Sequence, residues 1–496
     1  MVSVEQIAIL APEILLVIGV SALLVYGATP AGSAKGGQLV MRESVVWLGA
    51  LLLFLGGILS LSNRGVSGPL LYGSLYHDNL TATGKGLIFI FGGLVLLASA
   101  SYLREEGLNP MEYPIIIVIS SLGLGLLLSA YDLMSLYLGL ELQSLGLYVL
   151  ATFKRGSSYS TEAGLKYFIV GALGSGLLLF GSSLIYGELG TTNLEDIGRL
   201  TLGLGDASFA LQSGLVLLSA GLLFKLAAAP FHMWSPDVYE GAPTSASLFF
   251  AAVPKIAILG VLVRLYYTSF YDWMPLWQTG LMGASMASLI VAALGALYQR
   301  RIKRFLAYSS IGHVGYLLMG VSCGTVEGLQ GVYLYTIIYM VMSLNVWTVL
   351  LVSRVQFMDE LAGMGRGGPW LAGTVAVVIF SMAGIPPLAG FFAKMDLFFA
   401  AMEGSLYALA IVGVLTSVVS AFYYLRWVKI LFFEGGYGGD LGTNDAFAGR
   451  VGEAGSGVAM DRATSLILAT TTTLLLVYFL APGPFQLMAQ QMALGA

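Results

Sequence analysis

The sequence has little charge and almost no cysteine or histidine. Only 10% of its 496 residues are charged, against about 25% in an average soluble chain. The single cysteine, Cys323, excludes an internal disulfide and a cysteine-ligated iron–sulfur cluster. The three histidines, His77, His232 and His313, are too scattered for a metal motif. Soluble multidomain enzymes, nucleic-acid-binding proteins and disordered chains are therefore excluded, and no metal site is expected.

Apolar residues dominate instead and make up 57% of the chain. A transmembrane helix needs about 20 apolar residues. Fourteen such segments are visible, at 7–27, 45–62, 86–103, 113–130, 131–152, 163–187, 211–230, 244–268, 276–298, 304–323, 328–353, 369–401, 405–433 and 463–482. Segment 369–401 is too long for one straight span and contains Pro386 and Pro387, so we expect a broken helix there. The sequence predicts an all-α polytopic membrane protein.

Lysines and arginines fall mainly on one side when the loops are numbered alternately. Fifteen lie on that side and four on the other, the four being Arg64, Lys85, Arg199 and Arg264. Basic loops remain in the cytoplasm or matrix. Both termini are therefore expected on the opposite side, in the periplasm or the intermembrane space.

The segments divide the chain into five parts. We expect three N-terminal helices in 1–112, a helix repeat in each of 113–268 and 269–433, a Gly-rich inward-facing loop in 434–462, and the last transmembrane helix with a tail in 463–496. The two repeats are expected to be inverted five-helix units, because each contains a proline break. Residue-level similarity between the halves is too weak to establish the repeat from the sequence alone.

Three glycines match a dinucleotide-binding fingerprint by spacing. Gly363, Gly365 and Gly368 spell G-x-G-x-x-G. That motif binds a nucleotide only between a strand and a helix, whereas these glycines lie in a short loop between two membrane segments. Nucleotide binding here is excluded.

Ionisable residues inside the apolar segments are the strongest functional signal. Each costs roughly 2.5–3.5 kcal/mol on insertion scales. The series comprises Glu141, Lys225, Lys255 and Lys394, with Glu162 and Lys166 four residues apart on one helix face. One such pair is as consistent with a structural ion pair as with function, but a series over five helices indicates a proton path. Lysine suits this task because it can release its proton, whereas arginine does not.

Helix breakers accompany two of these lysines. Pro230 follows Lys225, and Pro386 and Pro387 precede Lys394. Broken helices are tolerated in membranes where they line polar cavities. His232, after the first break, is suited equally to a proton relay or a helix-end hydrogen bond. His313 lies among hydroxyl-bearing residues, which favours a proton or water path there. Glu13 is expected to be an interfacial or subunit-contact residue.

Several motifs carry a family resemblance. They include Leu140-Glu-Leu-Gln-Ser-Leu145, Ser160-Thr-Glu-Ala-Gly-Leu-Lys-Tyr167, Lys225-Leu-Ala-Ala-Ala-Pro-Phe-His232, Lys303-Arg-Phe-Leu-Ala-Tyr-Ser-Ser310 and Gly384-Ile-Pro-Pro-Leu-Ala-Gly390. In this order, across roughly 85–433, the chain resembles antiporter-like subunit 2 of respiratory complex I, called subunit N in bacteria, of the mitochondrial or alphaproteobacterial type.

The resemblance implies a proton-translocating membrane-arm subunit of NADH:ubiquinone oxidoreductase. Glu141 and Lys225 are then a pair, Lys255 is the central lysine, and Lys394 is the terminal group. FMN, iron–sulfur clusters and quinone belong to other subunits, and no cofactor is expected on this chain. The implied partners are antiporter-like subunit 4, the small subunits 4L and 6, and membrane lipids.

Two other functions remain open from the sequence. One is a subunit of a multi-subunit cation/proton antiporter with the same fold. The other is a structural membrane spacer whose buried charges only pair. The mitochondrial inner membrane is the expected location, with the bacterial plasma membrane as the alternative.

Overall fold

The computed structural model describes residues 4–28, 35–108, 111–202, 208–434 and 460–495. The elements of the first half are α1 Val4–Ile9, α2 Ala11–Ala28, α3 Lys35–Ser62, β1 Gly68–Leu70, β2 Leu75–His77, α4 Asn79–Glu105, α5 Glu112–Ser129, α6 Leu133–Ala151, α7 Ser158–Leu189, α8 Leu194–Thr201, α9 Phe209–Leu226 and α10 Trp234–Gly241. A 3₁₀ turn, Leu71–Gly73, joins the two strands.

The second half continues with helices only. They are α11 Thr244–Ala252, α12 Pro254–Arg264, α13 Met274–Leu297, α14 Ile302–Ser322, α15 Val326–Ser353, α16 Met364–Gly367, α17 Pro369–Ala383, α18 Ala389–Glu403, α19 Tyr407–Phe432, α20 Arg462–Val477 and α21 Gly483–Leu494. A π-helical turn, Leu265–Ser269, extends α12, and 3₁₀ turns occur at Tyr271–Trp273 and Met358–Leu361.

The helices coincide with the predicted apolar segments. Each of the fourteen segments contains at least one helix. Eleven helices of the described residues are long and apolar enough to span a membrane, and two shorter apolar ones are Pro369–Ala383 and Arg462–Val477. The all-helical membrane fold is confirmed, whereas fourteen crossings and inverted repeats stay predictions.

The helices are interrupted at three places inside the apolar segments. Helix α9 ends at Leu226, four residues before Pro230, and α10 begins at Trp234. Helix α17 ends at Ala383, with Gly384 at φ 84°, and α18 begins at Ala389. The third interruption lies at Val253, between α11 and α12, and was not predicted although Pro254 marks it.

The centre of the bundle is formed by α11, α12 and α15. The most apolar 18-residue stretches of 244–269 and of α15 are 100% and 94% buried, whereas those of α7 and α19 are 39% buried. Close packing explains many of the glycines. A Cβ on Gly181 of α7 would lie 2.5 Å from the Leu218 nitrogen of α9, so only glycine allows these helices to approach so closely.

Two features depart from the predicted organisation. A short antiparallel hairpin, β1–β2, pairs Gly68 with His77, and part of the predicted tail forms helix α21. Most of the predicted loop 434–462 lies outside the described residues.

The helix ends define two faces of the bundle. We call the end with β1 and β2 the hairpin face. The opposite end, with Lys154, Arg301, Lys303 and Arg354, is the basic face. Helix α4 connects them, starting after Asp78 and ending beside Glu106, which binds Lys154.

Candidate functional site: a buried row of lysines

Lys225 lies at the end of α9 and binds hydroxyls of α6. Its Nζ donates hydrogen bonds to Ser144 Oγ (2.9 Å) and to Tyr148 OH (3.2 Å). Glu141 precedes Ser144 by one turn of α6, and its Oε1 is buried without a hydrogen-bond partner among the described residues. The hydroxyls therefore bind the ammonium directly, and Glu141 acts on it through space.

Lys255 lies next to the unpredicted interruption before α12. Its Nζ donates to the Ala251 carbonyl (2.9 Å), one of the last carbonyls of α11, which lack helical partners. The ammonium also lies 4.9 Å from the ring centroid of Tyr339. Lys225 and Lys255 line the same cavity of about 20 Å³, which is room for a single water molecule.

His313 joins the central lysine to the second half of the bundle. Tyr339 donates to Ser310 Oγ (3.1 Å), one turn before His313 on α14. The His313 ring nitrogens lie 2.6 Å from Tyr335 OH and 3.4 Å from Tyr424 OH. A neutral imidazole carries one donor and one acceptor nitrogen, so this ring can pass a proton between the two phenols.

Lys394 is bound by the second helix break. Its Nζ donates to the carbonyls of Met382 (2.9 Å) and Ala383 (3.1 Å), the last two residues of α17. These carbonyls have no helical partner because the helix stops there. His313 and Lys394 line a second cavity of about 20 Å³.

Together these side chains form what we call the lysine row: Lys225, Lys255, His313 and Lys394. All four are buried. Lys225 and Lys255 share one water-sized cavity, and His313 and Lys394 share another. Between them, the Tyr339 ring lies 4.9 Å from the Lys255 ammonium and 5.0 Å from the His313 ring. Protons move along such chains of exchangeable donors and acceptors, and the chemistry requires no bound metal. Among the described residues, no group of three histidine, cysteine or acidic side chains is placed to hold a metal ion.

The structure places the other predicted residues away from this row. Glu162 and Lys166 form the predicted pair, 2.8 Å apart, but their side chains are 61% and 47% exposed. Lys166 also binds Asp237, which binds Arg304 on the basic face. His232 follows Pro230 in the connection between α9 and α10 and is only partly buried.

Two buried ion pairs were missed by the sequence analysis. Lys85 and Arg264 were assigned to loops, but both are 2% exposed inside helices. Lys85 pairs with Glu13, which was expected at an interface, and Arg264 pairs with Asp78. The apolar runs that follow Lys85 and precede Arg264 were the available signal.

Known proteins resemble the chain over nearly its whole length. The family described as NADH:quinone oxidoreductase/Mrp antiporter, TM, matches residues 130–420. NADH-ubiquinone oxidoreductase chain 2 of Marchantia polymorpha is 42% identical, over 97% of each chain. NADH-quinone oxidoreductase subunit N 1 of Rhizobium meliloti (strain 1021) is 44% identical, over 85% of this chain and 88% of the relative.

Solved structures show the same arrangement of helices. A chain of respiratory complex I from Thermus thermophilus with bound aureothin has a TM-score of 0.77 at 28% identity, over 95% of this chain and 97% of that chain. A chain of the Mrp complex from Dietzia sp. DQ12-45-1b has a TM-score of 0.79 at 20% identity, over 99% and 97%. The second likeness concerns the fold alone.

Proposed function

Because the chain belongs to the NADH:quinone oxidoreductase/Mrp antiporter family and is a proton-translocating membrane subunit of NADH:quinone oxidoreductase, we propose that its lysine row carries the proton. The observation that supports this most strongly is the continuity of the row. Lys225 and Lys255 share one cavity, His313 and Lys394 share another, and Tyr339 links the two halves.

Each member of the row has a distinct role in this proposal. Lys225 exchanges its proton with Ser144 and Tyr148, and the charge on Glu141 sets how strongly the ammonium is held. Lys255 receives the proton through the shared cavity. His313 passes it between phenols to the cavity of Lys394. Glu162, Lys166 and His232 lie off this route, so their part is limited to the basic face and the first break.

The repeat organisation is part of the same proposal. We assign 113–268 and 269–433 to two inverted repeats of five segments each. In both, the interrupted helix is the fourth of the five, at Pro230 and at Pro386 and Pro387. The helical interruption beside a lysine in each half supports this assignment.

The surroundings of the subunit are a further part of the proposal. We propose that FMN, the iron–sulfur clusters and quinone bind to other subunits of the complex. The neighbours are the antiporter-like subunit 4 and the small subunits 4L and 6, with lipids on the exposed apolar helices. The basic face lies toward the matrix or cytoplasm and both termini lie on the other side, in a mitochondrial inner membrane or a bacterial plasma membrane.

Proton counting in the assembled complex tests the role of the row. Lys225→Ala and Glu141→Ala should lower the number of protons translocated per NADH in proteoliposomes, whereas Glu162→Gln, an exposed acid off the row, should not. Full translocation in correctly assembled Lys225→Ala complex contradicts the proposal. A spacer role predicts impaired assembly with intact pumping, and co-purification without NADH-oxidising subunits would instead indicate the antiporter alternative.

A further inference from the structure

A cavity of about 280 Å³ lies on the basic face, at the start of α11. It is lined by the end of α4, the connection between α6 and α7, the starts of α11 and α14, and the end of α15. A water molecule takes about 30 Å³ in the liquid, so this space is large enough for a group of several heavy atoms. The proposed proton route does not use it.

The ionisable side chains of this cavity are mostly basic. Its four cations and two carboxylates are Lys154, Arg301, Lys303, Arg354, Glu106 and Glu240. Each carboxylate already has two cationic partners. Glu106 is bound by Lys154 (2.7 Å) and lies 3.9 Å from Arg354, which also binds Glu105 outside the cavity. Glu240 is bound by Arg301 and by Arg304 (3.2 Å). The lining therefore carries two more positive than negative charges.

Lys303 is the lining cation that lacks a carboxylate partner among the described residues. Its Nζ donates one hydrogen bond, to the Ala242 carbonyl (2.8 Å). An ammonium has three donors, so two remain for a group inside the cavity. A neutral carbonyl does not balance the charge, and an anion beside Lys303 would.

Two helices begin at the same cavity without a side-chain cap. Thr244 is the first residue of α11 and lines the cavity, as do Arg301 and Lys303 at the start of α14. The amino end of a helix carries a partial positive charge that favours anions. Both helix ends therefore add to the positive potential of the four cations.

We propose that this cavity binds an anionic phosphate group. A phosphate carries about −1.5 to −2 charges at pH 7, which matches the excess of two positive charges. Guanidinium groups bind phosphate oxygens in pairs, and lysine binds them as a point charge. Inorganic phosphate and the headgroup of an anionic phospholipid present the same chemistry, and basic pockets between membrane helices bind such headgroups.

The bound group would connect the ends of α4 and α15 to the starts of α11 and α14 and so stabilise the basic face. This inference goes beyond the proposed function and does not rest on it, because it concerns neither the lysine row nor its protons.

The test is the reactivity of Lys303 toward an amine-acetylating reagent in the whole complex. Purified complex in phosphatidylcholine nanodiscs is treated briefly, and the acetylation of each lysine is quantified by mass spectrometry. One series contains increasing inorganic phosphate at an ionic strength held constant with chloride, and the other contains increasing cardiolipin in the nanodiscs without phosphate. We expect protection of Lys303 and Lys154 but not of Lys166, which lies on the same face outside the cavity. The series that protects identifies the source of the phosphate group.

Arg301→Gln and Arg304→Gln are a matched pair of variants. Both guanidinium groups bind Glu240, but only Arg301 lines the cavity. Arg301→Gln should raise the concentration that gives half-protection of Lys303 about tenfold, as expected for the loss of one charge-assisted hydrogen bond. Arg304→Gln should change it far less. Arg354→Gln, on the opposite side of the cavity lining, repeats the test if Arg301→Gln complex does not assemble.

Three results decide the proposal. Protection that is present before any addition and is lost in Arg301→Gln supports a retained lipid headgroup. The site is overturned if neither series protects Lys303 more than Lys166 and Arg301→Gln leaves the reactivity of Lys303 unchanged. It is also overturned if Arg304→Gln weakens protection as much as Arg301→Gln, because the effect is then one of general surface charge.

Discussion

The substitution Tyr339→Phe removes a single oxygen atom and thereby breaks the connection between the two halves of the lysine row. The change keeps the ring against Lys255 but removes the hydroxyl that donates to Ser310 at 3.1 Å. One lost hydrogen bond costs about 0.5–1.5 kcal/mol of stability, too little to prevent assembly.

The expected effect on proton transfer is much larger than the effect on stability. A positioned acid–base group contributes typically 10²–10⁴-fold to a proton transfer, and we expect transfer through the row to slow by at least ~100-fold, or about 2.7 kcal/mol. The assay is proton uptake per NADH oxidised in proteoliposomes. Tyr113→Phe is the matched control. Its buried phenol donates a hydrogen bond to Ser245 Oγ (2.7 Å) and does not line either cavity of the lysine row. Unchanged proton uptake in Tyr339→Phe complex refutes the link.

Two further outcomes follow from individual contacts. Ser144→Ala removes one of two hydroxyls at Lys225, so the loss in protons per NADH should be smaller than for Lys225→Ala because Tyr148 remains; an equal loss argues against separate relays. Burial lowers the pKa of His77 in strand β2, so the hairpin is fully stable above about pH 6.5 and loses stability as pH falls below it. Hydrogen exchange at residues 75–77, corrected for intrinsic rates, should accelerate when the pH falls from 7 to 5 in the unmodified protein but not in His77→Gln. Equal acceleration in both proteins would contradict the role of His77 in this pH dependence.

Much of the helical layout is predictable because apolar length and proline position act locally. The segments around Lys225 and Lys394 and the interruption after Ala383 follow from runs and breakers in the sequence. The interruption at Val253 was missed because segment 244–268 is apolar on both sides of Pro254, and a proline is also compatible with the first turn of a helix, which is where Pro254 lies in α12. The assignment of Arg264 to a loop, which was made because the residue is charged, was wrong. Its ion-pair partner, Asp78, is distant in sequence, so the pairing that allows its burial was not visible.

The connections of the row depend on packing between distant segments. The sequence indicated Lys255 and His313 as candidates, but Tyr339, whose ring lies near both, is an ordinary residue of an apolar helix. The Glu141 carboxylate was expected as a pair for Lys225, yet Ser144 and Tyr148 provide the direct hydrogen bonds. The helix break predicts free carbonyls after α17, but only the position of the Lys394 side chain shows that its ammonium binds two of them.

The most direct measurement for the central claim is the proton stoichiometry of Lys225→Arg complex. Arginine keeps the positive charge next to Ser144 and Tyr148 but does not release a proton, so electrostatic and assembly effects are held nearly constant. We predict that NADH oxidation with an uncoupler is retained while the number of protons per NADH falls to the level of Lys225→Ala. Proton translocation equal to that of the unmodified complex would contradict the account.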